Sequence, residues 1–181
     1  VADLLGVVGI NISFEEADTD GLPEPPLSEL GLGIEVTRSE AEEIVGFDLR
    51  GPDASDGSLS IYLDDSIGDS GMVSTVIRQQ GQELPKILIT EFKASVETGF
   101  IKKLADGKTE VHFVTVAGFG GYWLTGEPHF FAYVDEAGRI REESIRLAGN
   151  VLLWEAGGIT YRIEGAGSLA GALRLAAEMG F

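Results

Sequence analysis

Residues 151–164 read VLLWEAGGITYRIE. This stretch limits the possible folds more than any other. Two runs of β-branched, aromatic and aliphatic residues, VLLWE and ITYRIE, flank the turn-forming EAGG. Strands joined by so short a turn pair antiparallel, because a parallel pair needs a crossover of about a dozen residues or more. The same grammar recurs upstream. VHFVTVAGF, YWLT and HFFAYV read as strands, and DEAG supplies a further turn. LSIYLDD (59–65) and MVSTVIRQQ alternate with strand period. KILITEF (86–92) is more continuously apolar and β-branched, which predicts a central strand. Near the start, Ile10, Ile12 and Phe14 alternate with Asn11 and Ser13, again a strand, while residues 1–5 suit the end of a helix.

Helical signals are fewer. In TRSEAEEIVGFDL, Thr37 stands three residues before Glu40, a capping box, and Ala41, Ile44 and Val45 give an apolar side. VETGFIKKLADG suits a short helix ending at Gly107, with Lys102 and Lys103 on its solvent face. SLAGALRLAAEMGF closes the chain as a helix, with Ser168 as N-cap and Leu169, Leu173 and Ala176/Ala177 as its stripe. Residues 15–31 carry three of the six prolines among six acids and read as a surface loop or tether. There is no internal repeat. The expected fold class is α+β: one curved antiparallel β-sheet with two or three helices packed on one face. At 181 residues, 1–181 is expected to be a single domain with enough buried surface to need no staple.

Charge narrows the partners. Thirty acidic against thirteen basic residues leave a net charge of −17. Nucleic-acid binding needs Lys and Arg to replace counterions, so the balance argues against it, and anionic membrane surfaces would repel the chain. It favours solubility and a cationic partner. With no cysteine, disulfides, thiol nucleophiles and Cys-type zinc sites are excluded. No run reaches the roughly 18 apolar residues of a membrane helix. The chain starts at Val1 with no Met, as expected where a targeting or anchoring segment has been removed.

Several motifs tempt. GDSG (68–71) matches the nucleophile motif of chymotrypsin-like proteases, but there the His base precedes the Ser, whereas His112 and His129 both follow Ser70; a polar turn is expected. GAGSLAG (165–171) follows a strand and opens a helix like a dinucleotide loop. That mechanism needs a second strand and an acid about twenty residues on, and only ten residues follow Gly171, so a capped strand-to-helix turn is expected. EADTDG (16–21) begins like a calcium loop, but Leu27 stands where a bidentate Glu belongs. It, PDASDG and LDDSIGD allow at most weak surface calcium binding; no other cofactor is expected. His112 and His129 form a possible metal pair with Glu127 as third ligand, set against the commoner fate of a His bonded to a nearby carboxylate. Carboxylates are too abundant to nominate a glycosidase pair.

The segments GYWLTGEPH, YVDEAGR, RLAGNVLLWE, GGITYRIEG and ALRLAAEM, with ITEFKA and a KK doublet upstream, occur in an order that resembles a bacterial domain of unknown function. That domain is the exported C-terminal part of single-pass membrane proteins, many with an anti-sigma-factor-like zinc-binding region on the cytoplasmic side. The resemblance is strongest over residues 87–179 and weaker over 1–65. It implies a location outside the cytoplasmic membrane, a tether missing from this chain, and a sensory or regulatory role. It carries over no catalytic residues.

The leading expectation is a non-enzymatic extracytoplasmic ectodomain that binds a small or apolar ligand or an envelope protein. Candidate lining residues are Tyr122, Trp123, His129, Phe130, Tyr133, Trp154 and Tyr161. Strand alternation puts neighbours such as Tyr122 and Trp123 on opposite faces, so not all can line one pocket, and most are as well explained as core. The alternatives are an envelope hydrolase using a His–carboxylate or paired-carboxylate centre, and a purely structural interaction module. Within GFGGYWLTGEPHFFAY (118–133), GGYWLT and HFFAYV read as two antiparallel strands around a GEP turn, with Gly120 and Gly121 marking a bulge or bend.

Overall fold

Glycine and alanine turns set the register of the sheet. A computed structural model describes residues 5–7, 10–14, 30–52, 58–66, 70–78, 85–93, 100–105, 110–125, 130–134, 140–143 and 150–181. Its elements, in chain order, are β1 (Leu5–Val7), β2 (Ile10–Phe14), β3 (Ile34–Val36), α1 (Arg38–Val45), β4 (Leu59–Asp64), β5 (Met72–Arg78), β6 (Pro85–Lys93), β7 (Phe100–Ala105) and β8 (Glu110–Val116). They continue with β9 (Phe119–Thr125), β10 (Phe130–Val134), β11 (Ile140–Glu143), β12 (Val151–Ala156), β13 (Ile159–Glu164) and α2 (Leu169–Glu178). The fold class is α+β, dominated by an eight-stranded antiparallel sheet in the order β3-β4-β5-β6-β13-β12-β9-β8. The continuously apolar β6 lies inside that order, as its composition predicts.

Two hairpins of the eight-stranded sheet have two-residue loops. Gly157 and Gly158 join β12 to β13 with φ of 63° and 79°. Ala117 and Gly118 join β8 to β9 with φ of 48° and 93°. Positive φ at both positions is the type I′ turn, whose twist matches that of the strands it joins. The second turn splits VHFVTVAGF, which reads as one strand in sequence.

The remaining strands form a second sheet, five-stranded, in the order β1-β2-β7-β10-β11. Here β2 and β7 pair in parallel and the other neighbours antiparallel. The expectation of one sheet is therefore corrected to two. The helix expected to end at Gly107 is also corrected: residues 100–105 are strand, paired on both sides. Phe100, Ile101 and Leu104 have the i, i+1, i+4 spacing of a helix, but over so short a run the pairing partners on both sides decide for strand. Leu5, read as a helix end, is strand. β9 and β10 lie in different sheets, so the hairpin expected in 118–133 does not form.

Both helices pack on one face of the eight-stranded sheet. Directly paired residues share a face, and the register aligns Leu63, Val73, Glu91, Tyr161, Trp154 and Gly121 in one row, with Ile61, Thr75, Ile89, Ile163, Leu152 and Trp123 in the next. α1 buries Ala41 and Val45 against Ile61, Leu63 and Val73. α2 buries Ala172 and Ala176 against a cluster that includes Ile89, Trp123, Leu152, Trp154 and Ile163. The opposite face, hereafter the far face, is also buried at Val76, Leu88, Leu124, Leu153 and Tyr122. Leu30 and Leu32 cover Val76 and Leu88 there.

The helices end as their sequences direct. Thr37 and Glu40 form the expected capping box, and Gly46 closes α1 with φ of 68°. Lys93 Nζ donates to the Val45 carbonyl at 2.9 Å, placing a cation at the negative end of α1. Ile44, assigned to the apolar side in sequence, is 53% exposed. Ser168 caps α2 by accepting from the Gly171 N–H at 3.2 Å, but the buried stripe runs through Ala172 and Ala176, and Ala177 is exposed.

Candidate functional site

One row of side chains leads to the site. Glu91, Tyr161, Trp154 and Gly121 are successive partners across β6, β13, β12 and β9. The Trp154 and Tyr161 rings stack at 5.2 Å and 18°. Gly121 makes room for them: a Cβ there would stand 3.0 Å from Trp154 Cβ and 2.8 Å from the Leu153 carbonyl. Its role is thus close approach of strands, and the unbroken register of β9 with β8 leaves no bulge at Gly120 or Gly121.

Phe181 covers the pair edge-on, 4.7 Å from Tyr161 and 5.3 Å from Trp154 between ring centres. Phe119 meets Phe181 edge-on at 6.3 Å. Beside these rings lies an open cleft of about 680 Å³, a volume usual for a small-molecule site. The aromatic residues Phe119, Tyr161 and Phe181 line it with Ile159, Ala156 and the turn residues Ala117 and Gly157. Gly180, Asp48 and Arg50 complete the wall.

Arg50 is held from several directions. Its guanidinium lies 4.7 Å over the Phe181 ring and donates to the Gly180 carbonyl at 3.2 Å. Its backbone is tied by buried polar groups. The Glu91 carboxylate accepts from the N–H of Arg50 at 2.9 Å and of Gly51 at 2.8 Å. Arg38 of α1 donates to the carbonyls of Leu49 (2.9 Å), Gly51 (2.6 Å) and Pro52 (3.1 Å). Glu42, one turn on, accepts from the Leu49 N–H at 3.0 Å. A Cβ at Gly51 would crowd the clamp, standing 3.1 Å from Thr75 Oγ1 and 3.2 Å from Glu91 Oε1.

Burial raises the Glu91 pKa above the usual carboxylate range, against the two N–H donors and the charges of Arg38 and Arg50, which pull it down. Burial also raises the Tyr161 hydroxyl, with a further push from Glu91 and a counter-pull from Arg50. Tyr122 is raised by burial alone. Both tyrosines therefore stay neutral at physiological pH, and of the two only Tyr161 belongs to the cleft wall.

The residues expected to share a site are divided. Tyr161 lines the cleft, Trp154 stacks behind it as fully buried core, and Trp123 lies in the same core beneath α2. Tyr122 points to the far face, buried edge-on to Phe113 at 5.9 Å. Phe130 and Tyr133 belong to β10 in the other sheet, and His129 lies outside the described residues. His112 is exposed and pairs with Glu110 at 3.3 Å, the ordinary fate of such a residue. Among the described residues no group of three or more His, Cys, Asp or Glu is placed to hold a metal ion. Of the acidic motifs, EADTDG lies outside the described residues, as do most of PDASDG and the end of LDDSIGD; Asp64 in the last folds back onto Ser66. GAGSLAG is the strand-to-helix turn expected. No helix among the described residues is long and apolar enough to cross a membrane.

Sequence reasoning missed Arg50, Glu91, Phe119 and Phe181. A signal existed for one: Glu91 is the lone carboxylate within the apolar run KILITEF, and a charge in a central strand needs dedicated partners. No protein family, curated protein or solved structure matches the chain.

Proposed function

We propose that this chain is a non-enzymatic ligand-binding module, the extracytoplasmic sensory domain of a membrane-anchored regulatory protein. The observation that carries the binding half is the clamped Arg50 beside an open aromatic cleft. Fixing an exposed arginine's backbone with a buried carboxylate and a second arginine is costly scaffolding for a solvated surface residue. It is well suited to presenting a preorganised charge to a ligand. On this reading the eight-stranded sheet curves toward its two helices, and the cleft opens at one end of the concave side. The location outside the cytoplasmic membrane and the tether rest on the family resemblance, and the acidic balance supports a partner that is not nucleic acid.

The test is an NMR titration with a fragment library, lipids and envelope components. Expected are shifts confined to Phe119, Ile159, Tyr161, Phe181 and the Arg50 side chain. A chain whose cleft resonances stay still against the whole set is not this kind of module. The tethering is tested by the full reading frame: a membrane helix encoded upstream of Val1 supports it, and a cleaved signal peptide without an anchor overturns it.

A further inference from the structure

We infer that the cleft recognises a small zwitterion: an apolar or aromatic body carrying a carboxylate and an ammonium group at one end, as in a free amino acid. The inference rests on the ligand-binding reading above and specifies its ligand.

The wall is chemically simple. Phe119, Phe181, Ile159, Ala156 and the Tyr161 ring offer apolar and aromatic surface to a body. Two side chains of the wall carry charge, one of each sign: Arg50 and Asp48, two residues apart and both exposed. The residue between them, Leu49, is buried in the core beneath α1 and points away. The two charges do not satisfy each other. Arg50 directs its guanidinium to the Gly180 carbonyl and the Phe181 ring, and Asp48 has no hydrogen bond or ion pair to a described residue. A carboxylate facing the free N–H groups of Arg50 and an ammonium facing Asp48 would complete both.

Long-range charge selects the same class. A chain of net charge −17 repels a simple anion on approach, although Arg50 would welcome it at contact. A simple cation is attracted from afar but meets Arg50 over the ring it would occupy. A ligand with both charges and no net charge avoids each penalty. The backbone clamp on residues 49–51 holds Arg50 in place next to Asp48 in the chain, so that the pair discriminates ligands by the placement of two groups rather than by charge alone.

The experiment is calorimetric and NMR titration of the 181-residue chain with phenylalanine, N-acetyl-phenylalanine, phenylalanine amide and benzyl alcohol. Phenylalanine is expected to bind in the cleft, with each singly blocked form weaker by about ten-fold or more, the loss of one charge-assisted contact. Asp48→Asn should weaken phenylalanine and its amide while leaving the N-acetyl form unchanged. Arg50→Gln should weaken phenylalanine and the N-acetyl form while leaving the amide unchanged, with thermal melts verifying that both variants fold. Blocked and free forms binding alike would overturn the inference. Cleft shifts with benzyl alcohol but no tighter binding of phenylalanine would also overturn it while leaving the ligand-binding reading intact. If the fragment library and all four probes leave the cleft unmoved, both fall together.

Discussion

The two faces of the eight-stranded sheet bury charge in different ways. On the helix face, Glu91 is 1% exposed and spends its carboxylate on two backbone N–H groups of a neighbouring loop. On the far face, Arg162 and Glu164, two residues apart on β13, form an ion pair with side chains 3% and 1% exposed. The first arrangement reaches out of the sheet and shapes residues 49–51, hence Arg50 and the cleft. The second binds one strand to itself at the centre of the sheet. A carboxylate tied to backbone amides organises a loop; one tied to a guanidinium consolidates a strand. Function is expected to depend on the helix face and stability on the far face.

The largest effect should follow from splitting the far-face pair. Arg162→Met or Glu164→Gln leaves a buried charge without its main partner, and each is expected to cost about 3–5 kcal/mol in urea unfolding. Replacing both together, Arg162→Met with Glu164→Leu, should recover most of that loss, because well-packed apolar residues can replace a buried pair. A double variant as unstable as the worse single one would show that the two charges do not act as a unit. Ligand binding by whatever remains folded should be unchanged.

Next comes Glu91. Glu91→Ala strands two N–H groups in a buried setting and should cost about 2–4 kcal/mol. Unlike the far-face variants, it should also broaden the Arg50 side-chain resonances and weaken cleft binding. Its pH signature has a definite sign. The folded-state pKa of Glu91 is raised, so the native chain holds that proton longer than the unfolded chain does. Its contribution is full below the ordinary glutamate range near 4.3 and declines as pH rises through the higher folded value. Glu91→Gln should abolish that decline. A wild-type and Gln pair with parallel stability–pH curves would remove Glu91 from the account.

How much of this was legible in the sequence follows from what each signal encodes. Alternation in LSIYLDD, MVSTVIRQQ and ITYRIE reports that a strand exists and which residues share its side, because side chains alternate. It does not report the neighbour, so GGYWLT and HFFAYV look like one hairpin although their strands belong to different sheets. Thr37, Glu40 and Ser168 were readable because caps are local hydrogen bonds. The cleft was only half readable. Trp154 and Tyr161 lie on a hairpin whose register follows from its Gly157–Gly158 turn, whereas Arg50, Phe119 and Phe181 reach them through contacts between distant segments. Glu91 was missed although it is the lone carboxylate of an apolar strand, and its partners, some forty positions earlier in the chain, carry no local mark at all.

A smaller effect tests the row that joins Glu91 to the stacked rings behind the cleft. Gly121→Ala brings a Cβ to 2.8 Å from the Leu153 carbonyl and 3.0 Å from Trp154 Cβ. Backbone on one side and a fully buried indole on the other cannot give way freely. The expected cost is about 1–3 kcal/mol, the usual range for overpacking. The Trp154 and Tyr161 ring resonances should shift while the Arg162 side chain stays in place. A neutral Gly121→Ala would mean that β9 and β12 can separate slightly without disturbing the stacked pair.

The smallest effect separates the two faces most cleanly. Thr37→Ala removes the capping box of α1 and should cost about 1 kcal/mol. The loss is local in origin, but α1 carries Arg38 and Glu42, which hold the backbone of residues 49–52. Loosening the first turn of α1 should therefore loosen the Arg50 loop before it loosens the sheet. In native-state hydrogen exchange, the amides of Leu49, Arg50 and Gly51 should exchange faster in Thr37→Ala by more than the global loss of stability accounts for. Amides of Leu152, Leu153 and Ile163, at the centre of the sheet, should slow or quicken only in step with global unfolding. Uniform acceleration at all six positions would instead mean that α1, its clamp and the sheet open as one unit, and that the helix face has no independent mobility with which to respond to a ligand.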